Sequence, residues 1–205
     1  MDKFVNIHSN YILVKDLTNV LDFDLINKQF LTLSWEENMY NSISKDFFFF
    51  NRDVFVDVKE KLEQECASYL RNAHKCYDFE KLVITNSWGN KTKENESHHV
   101  HDHSFSVVSG VIYLDDNPEN LNFFLELNAS KIPFYNSQVG SYVSIGNIIG
   151  TENNLKNHVI LFLSNTNHGV NKVTQGSKVR RSVSFNTFWK GRVGQSDIPL
   201  SNFSF

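Results

Sequence analysis

An antiparallel β-sandwich or barrel with helices packed on its outside is the fold that this sequence predicts, on three observations. A helical period runs over residues 52–75 and is lost after Tyr77. Beyond it, short runs of β-branched and aromatic residues are separated by turn residues. The 205 residues, 40% hydrophobic, suffice to bury one core. A single domain over 1–205 is therefore expected, with a helical N-terminal portion (1–77) packed on a β portion (78–205).

The first expected element is a short helix around 24–40. In RDVFVDVKEKLEQECASYLRNAHK, residues 52–75, Val54, Phe55, Val58, Leu62, Cys66 and Leu70 recur at three- and four-residue steps and paint one face of a second helix. Strands are expected at Lys81–Thr85, Val107–Leu114, Phe123–Leu127, Tyr142–Ile145, Val159–Ser164 and Val179–Phe188. Asn117-Pro118, the polar stretch Thr151–Asn157 and the Gly-containing Val173–Lys178 supply turns.

The net charge of −3, with no block of like charges, disfavours nucleic acid and anionic membranes as partners. No segment reaches the roughly 18 apolar residues that span a bilayer, and MDKFVNIHSNYILVKDL lacks the basic stretch and apolar run of a leader. Two cysteines, Cys66 and Cys76, exclude a disulfide framework. The expectation is a cytosolic, reduced protein, whose tail residues Leu200, Phe203 and Phe205 pack across the sheet or reach a second subunit.

Four of the eight histidines stand together in HHVHDHSFSVVSGVIYL, residues 98–114. In a strand, His99, His101 and His103 would share one side, and His168 in SNTNHGV is the natural third nitrogen donor from a distant strand. Alternation alone leaves open which of His99, His103 or Asp102 would complete such a set. The plain alternative is a solvated polar loop, but the cluster runs straight into SVVSGVIYL, a strand entrance where a rigid scaffold can hold ligands. No His-x-Asp or His-x-Glu occurs, so the two-histidine, one-carboxylate triad of non-haem iron enzymes is not directly readable.

In KVRRSVSFN, residues 178–186, Arg180, Ser182, Ser184 and Asn186 share one strand face, and Arg181, Val183 and Phe185 the other. An arginine with a hydroxyl two residues on can clamp a carboxylate; the alternative is a surface strand with an ion-pairing arginine. Trp88 and Asn90 could shape a pocket, although each alone reads as core and turn.

WGN at 88–90, HDHSFSVVSGVIYL at 101–114, LFLSNTNHGV at 161–170 and RRSVSFNTFWKGRVG at 180–194 together resemble the Fe(II)- and 2-oxoglutarate-dependent oxygenase family found in marine phages and bacteria. The resemblance covers about residues 80–195 and implies a double-stranded β-helix, a cupin-like jelly roll, with iron at one mouth. It implies metal positions at His101, His103 (where most of the wider superfamily carries Asp or Glu) and His168. It further implies that Arg180 and Ser182 grip the distal carboxylate of 2-oxoglutarate, with Tyr113 at a co-substrate position. Phe162-Leu163-Ser164 replaces the usual Phe-Pro-Ser, and Arg181 an apolar residue.

The implied function is a dioxygenase that uses a small-molecule co-substrate and oxidises, by hydroxylation in the first instance, an unidentified substrate with release of succinate and CO2. Two rivals share the fold: a cupin-type metal protein and a non-catalytic accessory protein. SFSVVS at 104–109 lacks the cupin glutamate, and a scaffold has no use for a dicarboxylate clamp.

Overall fold

The computed structural model describes residues 3–7, 10–116, 121–125, 141–144, 155–174 and 179–194. The chain starts with a hairpin, β1 (Lys3–Ile7) and β2 (Asn10–Asp16), where a helical portion was expected. Tyr11–Val14 is apolar at every position because β2 is covered on both sides: Leu13 faces the core under the helices, Ile12 and Val14 the core between the sheets.

Helix α1 (Phe23–Phe30) is capped by Asp22, whose carboxylate accepts the Leu25 N–H at 2.9 Å, and buries Phe23, Ile26 and Phe30. It ends ten residues short of the expected boundary. Beyond it Leu33 and Trp35 lie two apart, and β3 (Trp35–Glu37) pairs with β4 (Ser42–Ser44). Two single 3₁₀ turns, Phe49–Asn51 and Asp53–Phe55, precede helix α2 (Val56–His74). The expected apolar face holds at Phe55, Val58, Leu62, Cys66 and Leu70, all buried, but not at Val54, which is 51% exposed. Val54 lies in a tighter, three-residue turn that puts Phe55 inward and Val54 outward.

Then come β5 (Phe79–Thr92), β6 (His98–His101), β7 (Val108–Tyr113), β8 (Leu121–Leu125), β9 (Ser141–Ser144), β10 (His158–Leu163), β11 (His168–Val170) and β12 (Arg180–Val193). All six expected strands exist; β6 and β11, which carry histidines instead of apolar residues, were not anticipated as strands. Asn117-Pro118, residues 151–154 and 175–178, Leu127, Ile145 and the tail from 195 lie outside the described residues.

Two sheets result, one in the order β1-β2-β10-β7-β12-β5-β4-β3 and the other β6-β11-β8-β9. Every named pairing between strands is antiparallel. This is the jelly-roll architecture with helices on one outer face. Val159, Leu161, Ile112, Val183 and Phe185 face α1 and α2. Ile160, Phe162, Val111, Tyr113, Phe123 and Val170 fill the space between the sheets. That second layer continues into a polar row, and there the histidines gather.

Candidate metal centre

β6 pairs with β11 so that His101 lies opposite His168 and His98 opposite Val170. Three residue steps on β6 match two on β11, which is a bulge. The bulge breaks strict alternation and turns His98 to the side of His101, on which it stacks at 4.7 Å between ring centroids. His103 lies past the end of β6, fixed by its backbone N–H donating to the Ser164 carbonyl at 2.8 Å. Asp102 is exposed and does not join the cluster.

The side chains of His101, His103 and His168 converge: one ligand nitrogen from each lies within 4.8 Å of the other two. Ring centroids are 4.4 Å apart for His101–His168, 4.9 Å for His103–His168 and 5.0 Å for His101–His103.

The surroundings dictate where the protons sit. His101 Nδ1 faces the His99 carbonyl at 2.9 Å, and His168 Nδ1 the Thr166 carbonyl at 2.8 Å. A carbonyl only accepts, so each Nδ1 carries the proton and each Nε2 keeps its lone pair. His103 Nδ1 lies 2.7 Å from Ser109 Oγ, whose own proton goes to Asn186 Oδ1 at 2.8 Å. The imidazole must donate there too, which again leaves Nε2 free.

Two of these lone pairs, on His101 Nε2 and His103 Nε2, face each other at 3.1 Å. Such an approach is repulsive unless a cation lies between, and 3.1 Å is the span of two neighbouring ligands on one ion at metal–nitrogen bonds of about 2.1 Å. Protonation is no substitute. Burial holds His103 down at about 4, with the His101 charge adding to it, and burial also pushes His168 well below the usual histidine range. Neutral nitrogen donors on one face suit iron, zinc, nickel or copper.

The clamp residues lie along the same inner face. Arg180, 2% exposed, stands over the Tyr113 ring at 4.9 Å and donates from Nη1 to Ser182 Oγ at 3.0 Å. Ser182 therefore accepts from the arginine and keeps its own proton to donate. Tyr113 Oη accepts the Leu121 N–H at 3.0 Å and likewise keeps its proton. Arg180, Ser182, His98, His101, His103 and His168 line one cavity. Arg181, on the opposite face, is the ion-pairing arginine, bound to Asp115 at 2.5 and 2.7 Å.

Trp88 meets the His103 ring edge-on at 5.7 Å, and Phe162 packs against His168 at 4.6 Å, so apolar rings wall the cluster. Asn90 is buried, donating to Ser184 Oγ at 3.0 Å, which removes its reading as a turn residue. Sequence reasoning passed over His98, Ser109 and Asn186. Strict alternation sets His98 apart from His101, so only the bulge reveals it, and only the pairing of β7 with β12, Ser109 opposite Asn186, brings the other two beside His103. His98, His99 and His101 also have ligand atoms within 4.8 Å of one another.

Residues 86–186 match the profile of a family described as "Putative 2OG-Fe(II) oxygenase". No curated protein sequence matches the chain. Among solved structures, a 2OG-Fe(II) oxygenase family oxidoreductase from Burkholderia pseudomallei superposes with a TM-score of 0.57 at 10% identity, covering 86% of this chain and 83% of that one. A prolyl-4-hydroxylase from Pseudomonas putida gives 0.54 at 13% identity, covering 87% and 93%. HygX from Streptomyces hygroscopicus, with nickel, 2-oxoglutarate and hygromycin B bound, gives 0.51 at 9% identity, covering 86% and 82%. At these identities the likeness is one of fold.

Proposed function

The chain is a 2OG-Fe(II) oxygenase over the segment that carries its histidine cluster and buried arginine, residues 86–186, and from that premise we propose which residues do the work. Iron(II) is held by Nε2 of His101, His103 and His168, and the distal carboxylate of 2-oxoglutarate by Arg180, Ser182 and Tyr113. One observation carries this reading: three unprotonated nitrogens converge, two of them 3.1 Å apart.

Iron and 2-oxoglutarate, when bound, supply an oxidation of substrate coupled to decarboxylation of the co-substrate to succinate and CO2. The chain supplies the rest. The carbonyls of His99 and Thr166 and the Ser109 hydroxyl hold each Nδ1 proton, so the three rings present lone pairs without reorganising. Arg180 binds a carboxylate through its planar fork, and Ser182 and Tyr113 each offer one further proton. Trp88, Phe123 and Phe162 exclude water from the cluster.

Hydroxylation is the outcome we assign. The same reading takes 1–205 as one domain of the marine phage and bacterial branch, cytosolic and acting on a small molecule, without nucleic acid or membrane. The −3 charge and the run of His-x-His into SGVIYL support it. Among the described residues no helix is long and apolar enough to cross a membrane.

The test is anaerobic titration of protein with Fe(II) and 2-oxoglutarate, which is expected to give a weak visible charge-transfer band. His168→Ala is expected to abolish it. Arg180→Ala is expected to weaken co-substrate binding and leave iron bound; equal loss of both would make the arginine structural and overturn the clamp.

A further inference from the structure

Strand β12 orders the functional groups along one face. Arg180, Ser182 and Ser184 line the histidine cavity, and Asn186 reaches His103 through Ser109. Alternation carries the same face on to Phe188 and Lys190, because Trp189 between them packs into the core beneath the helices. At about 3.3 Å per residue, Phe188 follows Asn186 by about 7 Å, on the side of the histidines away from Arg180.

A cavity of ≈ 640 Å³ opens there, lined by Val83, Thr85, Phe105, Phe188, Lys59 and Lys190. Phe105 stands two residues past His103, 94% exposed, with φ at 55°, a left-handed conformation that a bulky residue adopts only under constraint. It presents an aromatic ring to water two residues along the chain from His103. Two lysines flank the apolar walls. Lys190 is paired across the ladder with Lys81, an arrangement of like charges that costs stability. Glu63 is engaged by Lys81 at 3.3 Å, by the Ile84 N–H at 2.9 Å and, at 3.9 Å, by Lys59. Among the described residues, no carboxylate lies within ion-pairing distance of Lys190.

We propose that this groove is the substrate site of the oxygenase, and that its substrate is an organic acid with an aromatic or aliphatic body: apolar part against Phe105, Phe188 and Val83, acid group on Lys59 and Lys190. The proposal rests on the iron reading above, since a groove beside the histidines receives substrate only if they hold the reactive ion.

The probe is 2-naphthoate, compared with its uncharged isostere 2-naphthamide, added to protein loaded with Mn(II) or with Zn(II) and followed by NMR of the ring protons. Naphthoate is expected to bind about tenfold tighter than the amide, the preference two charge-assisted contacts give. Lys59→Met with Lys190→Met is expected to remove that preference, and Phe105→Ser to weaken both probes. The bound naphthoate resonances are expected to broaden with Mn(II) and stay narrow with Zn(II), since only a paramagnetic ion nearby relaxes them. Equal affinity for acid and amide, no binding of either, or equal linewidths with both metals would overturn the proposal and leave the iron site standing. Failure of the wild type to take up Mn(II), seen directly by electron paramagnetic resonance, would instead remove the iron reading and the substrate role with it.

Discussion

Ser109→Ala separates a metal ligand from a buried histidine more cleanly than removal of the histidine itself. The Ser109 hydroxyl accepts the His103 Nδ1 proton at 2.7 Å, donates to Asn186 Oδ1 at 2.8 Å and lies 2.8 Å from Ser164 Oγ, so its loss strands the His103 donor and the Asn186 acceptor and removes the Ser164 contact in a buried site. The stability cost is about 1–3 kcal/mol, as for any buried hydrogen-bonding pair left unsatisfied. If His103 holds the metal, its ring also loses the partner that fixes its orientation and tautomer. Affinity should then fall about 10- to 100-fold, which is about 1.4–2.7 kcal/mol. Thr187→Val is the control: the Thr187 hydroxyl is equally buried and donates to the Val108 carbonyl at 2.8 Å, but serves only the backbone. It should cost similar stability and leave metal affinity within about twofold. Competition titration of Co(II) into the two apo variants, with urea unfolding alongside, distinguishes the cases. A Ser109→Ala protein that binds Co(II) as tightly as the wild type, while losing stability like Thr187→Val, would refute His103 as a ligand.

Acid should destabilise the metal-free protein. Burial lowers His98 to about 3 and His103 to about 4, and holds His168 well below the ordinary range, whereas the unfolded chain takes up protons near 6.5. The folded state binds fewer protons, so stability is full above about pH 6.5 and falls with pH below it, by about 1.4 kcal/mol per pH unit for each imidazole; urea midpoints at neutral and mildly acid pH would show this, and a midpoint that did not move would contradict it. Gly110→Ala should cost about 1–3 kcal/mol, because a Cβ there would meet the Phe185 ring at 2.2 Å in a packed interior; thermal unfolding measures it. Arg180→Lys should reduce 2-oxoglutarate affinity about tenfold or more with metal affinity unchanged, since a lysine loses the planar fork. Arg181→Ala, which breaks a partly exposed pair with Asp115, should cost about 1 kcal/mol or less and leave that affinity alone; calorimetric titration of both variants is the check.

The two arginines mark how far local pattern reaches. Neighbours in a strand point to opposite faces, and that rule alone separated Arg180, now buried over Tyr113, from Arg181, paired at the surface with Asp115. The amphipathic face of α2 and the six apolar strands were legible for the same reason: period is a property of adjacent residues. The N-terminal strands were not, because β2 is buried on both sides and carries no alternation, and β3 and β4 are only three residues each, too short to show a period.

By itself, the sequence determined which side chains exist to do this chemistry and which of them share a strand face: His101 and His168 as nitrogen donors, Arg180 with Ser182 on one side of β12. Only the tertiary structure decided which histidines meet, since a single-residue bulge in β6 brings His98 to His101 and the closure of β11 on β6 sets His168 opposite His101. It also decided where the protons go, because the carbonyls of His99 and Thr166 and the Ser109–Asn186 pair are joined to the rings by hydrogen bonds that no spacing announces. Register is a relation between distant segments, fixed by how whole faces pack, and one residue of slip would have turned every one of these groups away.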